Sequence, residues 1–231
     1  SIFDLFEENV RYFPALLAET TDEDPVAVLD AGGTPELGEL NLHNGTVYRW
    51  NRPIYDTGSG RPHVRVENRV LPAGPTIIDV LANAAFYYGL VKFLTEENRP
   101  VWSRLSFPEA EGNFFSAARS GLYSRVVWPK AGRVDVAELI RTGLAPRARK
   151  GLEMLDADAE MIDHYMTIIE ERARTRQNGA TWQLRTLNAL KPRVTEPDSP
   201  ERRAALARLM ELYIAHQRTE APVHTWPVGE V

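Results

Sequence analysis

The chain has 231 residues, 43% hydrophobic and 26% charged, which is ordinary globular composition with enough length for a sizeable core. Its formal charge of -5 argues against a sequence-independent grip on nucleic acid, and no apolar run reaches the roughly 20 residues that span a bilayer, so neither nucleic acid nor membrane is an expected partner. The absence of cysteine excludes disulfides, thiolate metal sites and a Cys nucleophile.

In chain order, Ile2 to Leu17 places apolar residues at near-helical spacing, and Thr20 to Pro25 and Ala31 to Pro35 break the chain. The period then changes to two. Thr46 to Arg52 and His63 to Leu71 read as strands joined by Asp56-Thr57-Gly58-Ser59-Gly60, a hairpin with a longer loop. Thr76 with Asp79 resembles a capping box and opens a helix to about Thr95. Pro108 marks another helix start, with Phe114 to Leu122 following. Asp135 with Glu138 starts a helix that Pro146 should kink or end. Asp158 to Arg174 is helical, Lys191 to Pro200 is a loop, and Ser199-Pro200-Glu201 opens a last helix ending near Arg218. Trp102, Trp128 and Trp182 read as core anchors, and His164 and His216 as surface or packing residues. The expected fold is α+β, a single domain over residues 1–231 with an antiparallel hairpin or small sheet packed with five to six helices and a predominantly helical C-terminal part.

The second strand holds the chemistry. Alternation places Val64, Val66 and Val70 on one face, which reads as buried, and His63, Arg65, Glu67 and Arg69 on the other. Glu67 then lies about 6.6 Å along the strand from each flanking Arg. Arg49 and Arg52 of the first strand fall on opposite faces, so without a bulge only one joins the charged face. Two readings are open. The row is a solvated face with cross-strand ion pairs. Alternatively, excess guanidinium around one carboxylate holds phosphate while the carboxylate holds a hard cation. P-loop, dinucleotide-fingerprint, nucleophile-elbow and His-Glu-x-x-His motifs are all absent. The acidic stretches at Thr21 to Asp24 and Asp156 to Asp158 lack the rest of an EF-hand loop.

The runs Leu42-His43-Asn44-Gly45-Thr46-Val47-Tyr48-Arg49-Trp50-Asn51-Arg52-Pro53 and Val64-Arg65-Val66-Glu67-Asn68-Arg69-Val70-Leu71-Pro72-Ala73-Gly74-Pro75-Thr76 resemble the C-terminal half of bacterial glutamate–cysteine ligases and related carboxylate–amine ligases. The resemblance continues at Asn83 to Leu90, Asn113 to Leu122 and Asn178 to Gln183, and so covers most of the chain. It implies a glutamine-synthetase-like half-barrel, a cytoplasmic enzyme, and ATP- and magnesium-dependent ligation of glutamate to an amine, cysteine in the name-giving members. By the same resemblance Glu67 is a metal ligand and Arg69 steadies the transferred phosphoryl group. Arg49, Arg52 and Arg65 hold phosphate or carboxylate, and His43, Asn44 and Trp50 line the site. The family's N-terminal half, with its further metal carboxylates, is not found in this sequence. The resemblance therefore implies that residues 1–231 are the C-terminal portion of a longer ligase catalytic domain, or that another chain completes the site. A non-catalytic module that binds nucleotide or a partner is the alternative.

Overall fold

The structure, a computed structural model, describes residues 1–58, 61–190 and 199–229. Among these residues the chain forms ten α-helices, more than the five to six expected because several are short, and two antiparallel two-stranded sheets; the α+β, mainly helical class is as expected. They cluster into two compact units, Ser1–Pro72 and Ala73–Val231.

The first unit contains α1 (Ile2–Tyr12), α2 (Pro25–Asp30), α3 (Gly38–Thr46) and a hairpin of β1 (Asn51–Asp56) and β2 (His63–Asn68). Asp24 starts α2 by accepting from the amides of Val26 and Ala27 at 3.0 and 3.1 Å, with Pro25 in the first turn. The interior is polar. The Asn9 amide donates to Asn44 Oδ1 at 2.8 Å, and the Asn44 amide donates to the Pro53 carbonyl at 2.5 Å. These bonds tie α1, α3 and β1 together.

They also correct the first strand. Thr46 closes α3 and pairing begins only at Asn51. The β-branched Thr46 and Val47 favour a strand locally, but the Asn9–Asn44–Pro53 chain holds Leu42 to Thr46 in helix. The second strand is read correctly at its start and ends at Asn68. Its valines do alternate away from the charged row, yet Val64 and Val66 are each 47% exposed and Val70 is exposed too, so the expected buried face is not there. Helices α1 and α3 have contacts with β1, whose Pro53 is buried, and the β2 half stays bare.

The second unit opens with α4 (Ile77–Thr95), capped as expected by Thr76, whose Oγ1 accepts from the Asp79 amide at 3.1 Å. α5 (Phe107–Ser120) carries a full Ser106/Glu109 capping box. The sequence reading misses the hairpin β3 (Arg125–Trp128) and β4 (Gly132–Asp135). The Asn113 side chain braces it, bonding both the amide and the carbonyl of Val127 at 2.7 Å. Asp135 caps α6 (Val136–Leu139), a π turn follows at Ile140–Leu144, and α7 (Ala145–Glu153) continues. Pro146 does not end the helix: the backbone stays helical through Leu144 and Ala145, and the proline lies just past the π turn. α8 (Ala159–Thr175), α9 (Gly179–Ala189) and α10 (Pro200–Gln217) are capped by Asp158, Asn178 and Ser199. Most of the loop read at Lys191 to Pro200 lies outside the described residues.

α4 is the spine of this unit. A Cβ on Gly89 would lie 2.3 Å from the Ala148 carbonyl oxygen, and one on Gly151 would lie 1.8 Å from the Gly89 carbonyl oxygen. The backbones of α4 and α7 therefore touch, which only glycine allows. Ala82, Ala148, Leu152, Ile162 and Met166 form the adjoining core. A second core gathers Trp182, Leu209, Leu212, Val223 and Trp226. Trp182 is the anchor the sequence suggests, and Trp128 is partly buried. Trp102 is not an anchor: it is 82% exposed on a one-turn helix, Val101–Ser103. His216 stacks on Trp226 at 5.2 Å, and His164 is exposed.

Candidate phosphate-binding hairpin

The register of the first hairpin decides which side chains meet. Arg52 stands opposite Glu67, Ile54 opposite Arg65, and Asp56 opposite His63. Directly paired residues share a face, so Arg52 joins the charged row. Arg49 lies before the strand and turns to α1. Its Nη1 donates to Glu8 Oε2 and Asn9 Oδ1, each at 2.9 Å.

Glu67 is the centre of the cluster. Arg52 Nε and Arg69 Nε both donate to Glu67 Oε2, each at 2.9 Å. Oε1 takes no part in these two bonds. Arg52 also reaches the Gly45 carbonyl at 3.2 Å, and the Arg69 guanidinium lies 5.3 Å from the centre of the Tyr48 ring. The bond from Arg69 is the largest influence on Glu67; burial opposes it, but the attraction of Arg52 and Arg69 and the bond from Arg52 add to it and hold the carboxyl below the usual glutamate range. The same Glu67 bond raises Arg69. The carboxylate is thus ionised at neutral pH and shared by two full positive charges. Further along, Arg65 Nη1 donates to Asp56 Oδ2 and to His63 Nε2, both at 2.8 Å. The second bond requires the His63 proton on Nδ1, which faces the Arg61 carbonyl at 3.2 Å.

Four arginines therefore share three carboxylates, Glu8, Asp56 and Glu67. The balance is one positive charge, and it sits at Glu67, where two guanidinium groups meet one carboxylate. That place is open to solvent: the Glu67 side chain is 39% exposed. Exposed positive charge in excess attracts anions.

The other expected site residues lie elsewhere. His43 donates Nε2–H to the Phe13 carbonyl at 2.8 Å, and its Nδ1 is buried. Asn44 is buried in the bonds described above. Both hold helices together behind the hairpin. Trp50 is 61% exposed at the entry to β1. Glu8, Asn9 and Tyr48 escape the sequence reading, although the polar pair Glu8-Asn9 interrupts the apolar spacing of α1 and is a visible signal.

Magnesium is the metal that the resemblance implies. Among the described residues no group of three or more His, Cys, Asp or Glu side chains could hold a metal. Glu67 fits as one ligand of an ion that takes its other oxygens from phosphates and water, the usual habit of magnesium. It does not fit as a closed protein cage.

No protein-family model matches the chain, and neither a curated protein nor a solved structure matches it.

Proposed function

We propose that the charged face of the β1–β2 hairpin is the phosphate-binding part of an ATP- and magnesium-dependent carboxylate–amine ligase that joins the γ-carboxylate of glutamate to an amine, cysteine in the enzymes it resembles. One observation carries the reading: two arginines converge on one oxygen of a half-exposed carboxylate, with positive charge in excess.

The chemistry runs in two displacements. The glutamate carboxylate attacks the γ-phosphorus of ATP, the bond to ADP breaks, and an acyl-phosphate forms. The amine then attacks the acyl carbon, phosphate leaves and a proton is lost from nitrogen. Phosphoryl transfer of this kind depends chiefly on positioning and charge. Arg69 and Arg52 hold the phosphate oxygens, and Glu67 Oε1 contributes one ligand to magnesium. When bound, the ion lowers the charge repulsion between phosphate and nucleophile. Arg49 is committed to Glu8 and shapes the base of the site. Arg65, with Asp56, forms its outer edge. The remaining metal ligands come from the nucleotide and from a separate half or second chain.

The lone carboxylate favours a second reading, a module that binds nucleotide without turnover. Phosphate release from magnesium–ATP, measured with glutamate and a panel of amino acids, separates the two. Release that needs both glutamate and one amine supports the ligase. Binding of magnesium–ATP without release, even with a complementary half supplied, supports the module. Neither binding nor release contradicts both. In the active assembly, Glu67→Gln should abolish magnesium-dependent turnover and leave Tm nearly unchanged; retained turnover removes the metal-ligand role.

A further inference from the structure

The side of α4 turned away from α7 carries an apolar stripe that the rest of the second unit leaves largely exposed, with only Ala84 at its middle partly buried. Ile77, Val80, Leu81, Ala84, Tyr88 and Val91 recur at the three- and four-residue spacing of one helix face. Ile77 is 69% exposed and Tyr88 is 62% exposed. Beyond the stripe, Val91, Leu94, Pro100, Val101 and Trp102 form the main lining of a pocket of about 280 Å³. At 19 residues, α4 is also long and apolar enough to cross a membrane, which the count of apolar residues in the sequence does not suggest.

Symmetry identifies the occupant. Ala84 is the midpoint between Ile77 and Val91, and it is the smallest side chain of the stripe. A two-fold axis through Ala84 would lay one α4 antiparallel on another and let the two backbones approach closely. The exposed Ile77 end of one copy would then face the Val91–Trp102 pocket of the other, and the reverse, which is the self-complementarity an isologous pair requires. Antiparallel packing also sets each helix N-terminus beside the partner's C-terminus, a favourable arrangement of dipoles. The stripe has no charged side chain to repel its own copy: Asp79 is buried, and Lys92 is bonded to Glu96.

Area is sufficient. Aromatic side chains bury about 150–250 Å² each, so the stripe with Trp102 offers on the order of 600 Å², the lower end of a specific interface per partner. A lipid surface is a poorer fit. Interfacial helices carry a basic polar face, whereas α4 has a single lysine, already paired, and its opposite side is locked against α7 by the Gly89–Gly151 contact.

We infer that this chain forms a two-fold dimer through the α4 stripe, with Ala84 at the axis. This inference does not depend on the ligase reading.

Sedimentation equilibrium of the whole chain, from micromolar to hundred-micromolar concentration, tests it. The expected result is a reversible shift from monomer to twice the 26.1 kDa mass. Tyr88→Glu should weaken the dimer by at least tenfold. The chain has no cysteine, so Ala84→Cys gives an independent test. Mild oxidation should link Ala84→Cys chains into a dimer, while Glu201→Cys on exposed α10 should stay monomeric. A monomer at every concentration overturns the inference, as does a dimer indifferent to Tyr88→Glu and not linked through position 84. Co-sedimentation of the monomer with neutral or anionic lipid vesicles, lost in Tyr88→Glu, overturns it in favour of a membrane surface.

Discussion

Asp79 is fully buried, and its two oxygens are shared among three donors: Thr76 Oγ1 at 2.9 Å, the Val223 amide at 3.1 Å and Arg172 Nη2 at 2.7 Å. Arg172 is nearly buried as well and also reaches Asn83 Oδ1 at 2.5 Å. Removing one partner of such a pair strands the other charge in the interior. Asp79→Ala should therefore cost about 3–5 kcal/mol, read as a lowered Tm by circular dichroism; an unchanged Tm would contradict the pairing. The cap half of this arrangement is legible in the sequence, because Thr76 and Asp79 are three residues apart. The Arg172 half is not, because 93 residues separate the partners. The same distance effect hides Glu8 and Asn9 behind Arg49. His224 offers a pH test nearby. Burial pushes its imidazole below the ordinary value; Glu171 and Asp79 oppose the shift, and Arg172 and Arg174 add to it. The unfolded chain then takes up the proton first as pH falls. Stability should be level above pH ~6.5 and decline from there towards the lowered folded value. Thermal melts from neutral to acid should show this decline, and His224→Gln should flatten it in that window.

Elements with a clear N-terminal signal are legible: α4, α8 and α10 begin where a capping Thr, Asp or Ser suggests, and α5 where Pro108 does. α9 also has a capping residue, but Asn178 precedes Gly179 and the pair reads as a turn. α3 is hidden by the β-branched residues at its end, and β3–β4 by strands of only four residues each. The valine face shows the limit of periodicity, since alternation reveals which residues share a face but not whether another element covers it. Gly89 inside α4 looks unfavourable from the sequence, because glycine costs a helix about 1 kcal/mol against alanine. The contact with Gly151 explains it. Gly151→Ala should push α4 and α7 apart and cost about 3 kcal/mol, roughly 6–12 °C in Tm at this length. A variant as stable as the parent would show that the crossing is looser than described.

The two units have different interiors. In the first, the buried side chains are Asn9, Pro35, Asn44, Val47 and Pro53, so hydrogen bonds do much of the work of a core. The second has three apolar clusters. Small domains with little apolar burial are marginal, so calorimetry should show the first unit melting before the second. A chain of residues 73–231 should lose only the earlier transition; a single transition in the whole chain would contradict this. The charged hairpin belongs to this first unit. Its candidate residues are legible in the sequence as a row, and Glu67, Arg52 and Arg69 do come together. Arg49, His43 and Asn44 are placed by tertiary bonds that no local pattern contains. On the proposed function, Glu67, Arg52 and Arg69 form a phosphate site. Titration calorimetry of magnesium–ATP into the whole chain tests it most directly. Saturable, magnesium-dependent binding that falls at least tenfold in Arg69→Ala, and is unchanged in Arg208→Ala, is the predicted result. Absence of binding, or binding indifferent to Arg69, would contradict it.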